Sequence, residues 1–378
     1  MWRVGMVGAG QLARMTHQAA VDLGIELVVL ARSEEEPAVV AGARALIGAP
    51  TSESALGRLA AEVDVVTFDH EGTPAELVTG LVEAGYTVRP GAEALRLAQD
   101  KLTARLAFAA AGFPVPAFAP LGTDPAVEVS RFAGEHGWPV VIKSRRGGYD
   151  GRGVSIVSDA EDSRQALARM EGRELLVESH VELTQELAVV GVRSPSGAWA
   201  AYPAVGTLQA EGICRELVMP APVEEALAGR AEALAKGIAE HISAVGIIAV
   251  ELFLTRSGDL VVNEIAVRPH NSGHATIEAA TTSQFHNHLR AVLDLPLGDT
   301  SLRVPAAAMV NVLGDQLGTD PRLRLRDALA VPGASVHLYG KEPVPGRKLG
   351  HVTAVGASIE EALAVARRCA HFLDCGAG

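Results

Sequence analysis

Glu251 and Glu264 lie in two apolar, β-rich runs, GIIAVELFL (246–254) and DLVVNEIAV (259–267), joined by a short polar segment. A hairpin is the expected arrangement. With Ser257 and Gly258 as its two turn residues, Arg256 faces Asp259, and counting outward sets Glu251 opposite Glu264. Opposed side chains on a sheet lie about 5 Å apart, where like charges repel. Two acids among Val, Ile and Leu at that separation need a shared proton or a cation between them. With Asn263 beside them the donors are all oxygen, which suits Mg²⁺ held by one or two carboxylates and by substrate phosphates. Solvated carboxylates at a sheet edge are the alternative.

VRPHNSGHAT (267–276) follows directly, with Arg268, His270, Asn271, Ser272 and His274 packed too densely for a core segment. It is expected to be a substrate-contacting loop beside the acids. Lys143 ends the apolar run PVVIK, where an ammonium is costly unless it meets an anion. The glycine-rich GGYDGRG (147–153) that comes next can close over phosphates through its backbone amides. Lys101 is the second candidate for a phosphate, and for either lysine the alternative is a stem that carries its head out to solvent. Near the start, GAGQLARM (8–15) has Gly8 and Gly10 but Ala13 in the third glycine position, a weak dinucleotide fingerprint. What remains is a glycine turn feeding a helix N-terminus, which favours a phosphate of some kind or is only a tight turn.

The elements that must position these residues follow from periodicity. WRVGMV (2–7), IELVVLA (25–31), EVDVVTFD (62–69) and YTVRP (86–90) have strand character, with helices at 12–23 and 74–84, so a small parallel α/β sheet is expected up to about residue 90. Residues 92–112 are expected to form one long helix ended by Gly112. FPVPAFAPLGTDP, with four prolines in thirteen residues, is a connector or an extended strand. Helices are expected at 160–170, 223–243 and 359–373, and short strands at VPAAAMVNVLG, SVHLYG and HVTAVGA.

The chain has 378 residues, is 48% hydrophobic, and carries a net charge of −12 without any cluster of five or more Lys and Arg. Nucleic acid and anionic membrane surfaces are therefore not expected as partners. The N-terminal MWRVGMVGAG lacks the features of a signal peptide, and no apolar run approaches the roughly 18 residues needed to span a bilayer, so a cytoplasmic enzyme is expected. Cys214, Cys369 and Cys375 are too scattered for a disulfide framework or a zinc site.

DKLTARLAFAAAGFPVP, VVIKSRRGGYDGRGV, ELLVESHVELTQELAVV, VELF, VNEIAVRPHNSGHAT and LYGKEPVPGRKLGHV together resemble the N5-carboxyaminoimidazole ribonucleotide synthetases, ATP-grasp enzymes of purine biosynthesis, from Gly8 to His351. The resemblance implies an α/β protein with an N-terminal Rossmann-like domain (1–91), an ATP-grasp core (92–300) with a mobile lid (about 114–181), and a small C-terminal domain (301–378) packed on the core. It implies carboxylation of 5-aminoimidazole ribonucleotide (AIR) with ATP and bicarbonate through carboxyphosphate, with Mg²⁺ or Mn²⁺ and commonly as a homodimer. Lys101 and Lys143 then contact the ATP phosphates, Glu178 and Val181 the adenine, and Glu186 the ribose. Gly148, Gly151 and Gly153 belong to the lid loop over ATP, Glu251 and Glu264 hold the metal, and Asn263 is close by. Tyr149, Asp150, Arg152 and Arg268 are the implied catalytic residues, Arg152 steadying carboxyphosphate and Asp150 orienting or deprotonating the amine. AIR sits among Gln11, Leu12, Glu71, His270, Asn271, Ser272, His274, Lys341, Arg347 and Lys348. The chain departs from the family pattern at Gly206 and Gln209, where a Glu and a His are usual, and at Asp69, which leaves Glu71 as the better substrate contact.

Three rivals make distinct predictions. A formate-dependent glycinamide ribonucleotide transformylase has the same shape and would respond to formate. A nicotinamide-dependent oxidoreductase needs an acid at the end of the second strand, where this chain has Ala31 and Arg32. A catalytically dead nucleotide-binding regulator would lose the metal acids, and both are present.

Overall fold

The computed structural model describes residues 1–148, 153–210 and 212–374. Tyr149, Asp150, Gly151 and Arg152 therefore lie outside the described residues, as does Cys375.

The first sheet is parallel, in the order Arg44–Ile47, Glu26–Ala31, Arg3–Val7, Val65–Phe68. Beyond their first residues its central strands are buried because helices cover both faces, which explains their near-continuous apolar runs. The anticipated YTVRP strand is reduced to one parallel bridge, Val66 to Val88. At the mouth of this sheet Gly8 has φ +103, and a Cβ there would lie 1.7 Å from Asp69 Oδ1, so only glycine fits the turn that opens the Gln11–Asp22 helix.

A second sheet is antiparallel, Phe118–Leu121, Leu175–Ser179, Val140–Ser144, Val154–Val157, and has a core of its own around Phe132, Ile142 and Val177 beneath the helices Pro125–His136 and Ala160–Arg169. The third sheet is the largest. It runs Leu260–Ala266, Gly246–Thr255, Leu183–Arg193, Val205–Ala210, Ile213–Met219, Ala306–Leu313, Lys348–Gly356, Ala334–Leu338, with Trp199–Ala201 added beside Leu183–Arg193. The C-terminal strands thus continue the central sheet, Glu216 pairing with Val310, and the Ile359–Leu373 helix covers them. Helix Glu225–His241 packs with one face of the central sheet and helix Gln284–Val292 with the other.

The long helix expected over 92–112 is two helices, Ala92–Gln99 and Lys101–Ala110. Asp100 breaks it, with φ −121 and ψ 106, and its carboxylate caps the second helix by accepting from Thr103 N–H. The break places Lys101 at the first turn, where its side chain is free to reach the site. No described helix is long and apolar enough to cross a membrane.

Candidate active site

Glu251 and Glu264 are paired across neighbouring antiparallel strands, as the hairpin count anticipates, but the route to that register is different. The turn holds three residues, Arg256, Ser257 and Gly258, closed by Thr255 N–H donating to Asp259 O at 2.9 Å, with Gly258 at φ +83. That loop sets Leu254 against Leu260 and Leu252 against Val262. A bulge at Asn263 then adds one residue and restores the pairing of the two glutamates.

The bulged Asn263 is held on both of its oxygens. Its backbone O accepts from Arg105 at 2.6 Å and its Oδ1 from Lys143 at 3.3 Å. Arg105 and Lys143 share the carboxylate of Glu178, each at 2.7 Å, and all three side chains are at least nine-tenths buried. Burial alone would raise Glu178, but Lys143 and Arg105 together hold it below its ordinary value. Lys143 is lowered by burial and by the neighbouring Arg105 and Lys101, despite Glu178. An ammonium in that position gains strongly from a second anion.

Lys101 and Arg105 lie one helical turn apart on the same face. Lys101 donates to Glu264. Burial works against the ammonium, and the Glu264 carboxylate more than offsets it. Burial likewise raises Glu264, but Lys101, Lys143 and His270 bring its carboxyl down to about 2. Glu264 keeps 43% of its side-chain surface open, so it lines a cleft instead of being sealed in. Glu251 differs: burial, then Glu264 and Glu186, push it up to about 8.

His270 joins this centre to the loop after it. Its Nδ1 accepts from Ser272 N–H at 3.3 Å, so the neutral ring carries its proton on Nε2, which faces Glu251 Oε1 at 3.6 Å. Burial, with Arg268 and Lys348 nearby, lowers His270 to about 3. Arg268 donates to Glu71 Oε2 at 2.8 Å, while Glu71 Oε1 is buried without a partner among the described residues. Lys341 donates to Gln11 at the N-terminus of the first helix. Lys348 is near enough to lower both Glu251 and His270, and Arg347 is exposed beside it.

The sequence candidates therefore converge from four regions of the chain, with qualifications. Leu12 is buried, so its side chain is not a surface contact, and at the first turn of its helix it has its backbone amide to offer. The Glu178 carboxylate is taken up by its two cations, and Val181 lies just beyond the strand that carries it. Glu186 is half-buried and bonded to Gln209, one of the two positions that depart from the family pattern. At the other, a Cβ on Gly206 would lie 2.6 Å from Gln185 Nε2. Gly148 and Gly153 flank the four residues outside the description, and Ser144 N–H donates to Gly153 O at 2.7 Å to close the loop's base.

Sequence reasoning missed several residues. Asp100 is fully buried and accepts from Arg145 at 2.7 Å and Arg146 at 3.1 Å, so it ties the root of the glycine-rich loop to the helix of Lys101. Asp is a favoured cap residue, but here it stands inside an unbroken helical period, which hid the break. Arg105, one turn after Lys101, was legible as a same-face cation. Nothing local marked Gln284, which is buried and bonds both the backbone N–H and O of His270.

Among the described residues no cluster of three or more His, Cys, Asp and Glu forms a closed metal cage. The two opposed carboxylates fit a divalent cation that completes its shell with phosphate and water, because a cation there would offset the burial and the neighbouring acids that raise Glu251.

Three family models match: a ribonucleotide synthetase pre-ATP-grasp domain at 1–99, an ATP-grasp domain at 106–285, and a phosphoribosylaminoimidazole carboxylase C-terminal domain at 307–365. The N5-carboxyaminoimidazole ribonucleotide synthase of Mycobacterium tuberculosis is 48% identical over 99% of this chain and 88% of its own length. The structure of the Thermus thermophilus synthetase superposes with a TM-score of 0.87 at 37% identity, covering 98% of each chain. That of the Aspergillus clavatus synthase, solved with ADP and 5-aminoimidazole ribonucleotide, gives 0.92 at 31% identity over 99% of this chain and 98% of that one. The chain belongs to the N5-carboxyaminoimidazole ribonucleotide synthase family of ATP-grasp enzymes.

Proposed function

We propose that this chain carboxylates the exocyclic amine of AIR at the expense of ATP and bicarbonate, releasing ADP and phosphate. The observation that carries the reading is the approach of His270 to Glu251, which joins the loop suited to an acceptor to the carboxylates suited to a metal nucleotide. Bicarbonate is a poor electrophile. One of its oxygens attacks the γ-phosphorus of ATP, ADP leaves, and the resulting carboxyphosphate carries a carbonyl that an amine can attack. The amine nitrogen then bonds to that carbon, phosphate departs, and the nitrogen loses a proton.

Lys101 and Lys143 neutralise the phosphates, Lys143 gaining most because it is buried beside two other cations. Glu251 and Glu264 would hold Mg²⁺, which would supply charge compensation to the phosphoryl oxygens. The backbone of Glu178 to Val181 receives adenine, and Glu186 the ribose. Arg268, held by Glu71, faces the reacting groups, and the unpartnered Glu71 Oε1 is a ready acceptor for a donor of AIR. Lys341, Arg347, Lys348 and the helix N-terminus at Gln11 and Leu12 take the AIR phosphate. Tyr149, Asp150 and Arg152 keep the roles implied by the family resemblance, Arg152 on carboxyphosphate and Asp150 on the amine. We place the enzyme in the cytoplasm as a homodimer, in line with its family resemblance; light scattering of the purified protein reads the second point.

ADP release with Mg²⁺-ATP tests the reading. Joint stimulation by AIR and bicarbonate is expected, and stimulation by glycinamide ribonucleotide with formate instead would overturn the substrate assignment.

A further inference from the structure

We infer that Asn311 and His351 are positioning residues through which the C-terminal strands set the acceptor loop, an inference that rests on the acceptor site proposed above. The two residues are directly opposite each other on Ala306–Leu313 and Lys348–Gly356, so their side chains rise from the same face of the sheet. Each meets a different residue of the loop.

Asn311 is 2% exposed and forms a reciprocal amide pair with Asn271. Its Nδ2 donates to Asn271 Oδ1 at 3.0 Å, and Asn271 Nδ2 donates back to Asn311 Oδ1 at 2.9 Å. The second hydrogen of Asn311 Nδ2 goes to Cys214 O at 2.9 Å, which fixes the orientation of the amide, since a flipped one would set carbonyl against carbonyl. Asn271 is thereby oriented too, with one Nδ2 hydrogen left to offer a substrate.

The His351 ring packs at a tilt against His274, near the end of the loop, at a centroid distance of 4.8 Å, and stacks with His337 at 4.4 Å. Its Nδ1 shares a hydrogen bond of 2.7 Å with Tyr339 Oη. Tyr339 and His351 bracket the segment that carries Lys341, Arg347 and Lys348, so this one bond closes the base of the cationic segment while the same ring faces the loop. The C-terminal strands thus act as one template for the loop and for the cations expected to hold the AIR phosphate.

Stability alone does not account for these residue types. Apolar side chains of the same shape would serve a core equally well. Here the Nε2 atoms of both His274 and His351 are buried without a partner among the described residues, which an apolar core would avoid. What hydrogen bonding adds is direction.

The test compares Asn311→Ala and Tyr339→Phe with wild type for KM of AIR, KM of ATP, kcat and Tm, with AIR affinity by calorimetry. Asn311→Ala should raise KM for AIR about ten-fold, the loss of one to two well-formed hydrogen bonds, with KM for ATP unchanged. Tyr339→Phe, which keeps the buried ring, should give a smaller rise in KM for AIR and little change in Tm. If Asn311 acts through Asn271, adding Asn311→Ala to Asn271→Ala should cause no further rise. An unchanged KM for AIR in both single variants, or KM for AIR and ATP rising together with a fall in Tm, would overturn the inference. Wild-type enzyme that fails to bind AIR would remove the acceptor site itself, whereas binding by wild type with unaltered variants would remove only the positioning role.

Discussion

Glu251 and Glu264 face each other across two strands, yet only Glu264 has a cation bonded to it, Lys101, while Glu251 meets the neutral ring of His270. Burial pushes both carboxyls up, and Lys101 with Lys143 brings Glu264 back below its ordinary value while Glu251 stays raised. A metal nucleotide held by both carboxylates would supply the positive charge that Glu251 lacks.

Glu264→Gln removes the charged half of this pair and leaves Lys101 without its anion. Turnover should fall by about 100-fold or more, the scale of losing one fixed electrostatic stabiliser of a transition state. The check is ADP release over a Mg²⁺ titration, and unchanged activity at limiting Mg²⁺ would sink the metal assignment.

Lys348→Ala should weaken capture of the AIR phosphate. A charge-assisted hydrogen bond to phosphate is worth about ten-fold or more in affinity. Steady-state kinetics should show the rise in KM for AIR with KM for ATP unaltered; equal rises in both would point to a wider disturbance of the cleft.

Glu178→Gln should act on stability as well as on activity. The carboxylate is 2% exposed and is shared by Arg105 and Lys143, so its removal leaves two buried cations with no anion, at a cost of about 3 kcal/mol. Urea unfolding should report it, and a midpoint equal to wild type would mean that the triad is not holding this region together.

His288 should make stability depend on pH. It links the first sheet to the central one, accepting from Ile247 N–H on Nδ1 at 3.1 Å and so donating from Nε2 to Thr67 Oγ1 at 2.9 Å. Burial lowers the ring to about 3, against an ordinary 6.5 for histidine. Between those values the unfolded chain takes up a proton that the folded chain does not. Stability from this group is thus complete above 6.5 and declines as pH falls, by about 1.4 kcal/mol per unit. Thermal unfolding from pH 8 to 4 should be less steep for His288→Gln, which would be the less stable protein at pH 8; parallel curves would exclude His288 as the titrating group.

The amino-acid sequence alone was enough for the family, the alternation of strands and helices, and the candidate residues that the fold brings together, because each of these is marked locally. A lysine ending an apolar strand, two acids in β runs and a polar NSGH loop advertise themselves by type and spacing. It was enough for the Glu251–Glu264 pairing as well, since the three-residue turn and the bulge at Asn263 cancel and return the register of a two-residue turn. The split at Asp100 needed more. Helical periodicity runs unbroken through 92–112, and the break is stabilised by Arg145 and Arg146, some 45 residues away along the chain. The same holds for Asn311 with Asn271 and His351 with His274. Their meaning lies in which strand comes to rest beside which loop, and hydrogen bonds between segments 40 or more residues apart leave no period in the sequence to be read. Only the folded chain brings together the groups that orient the site.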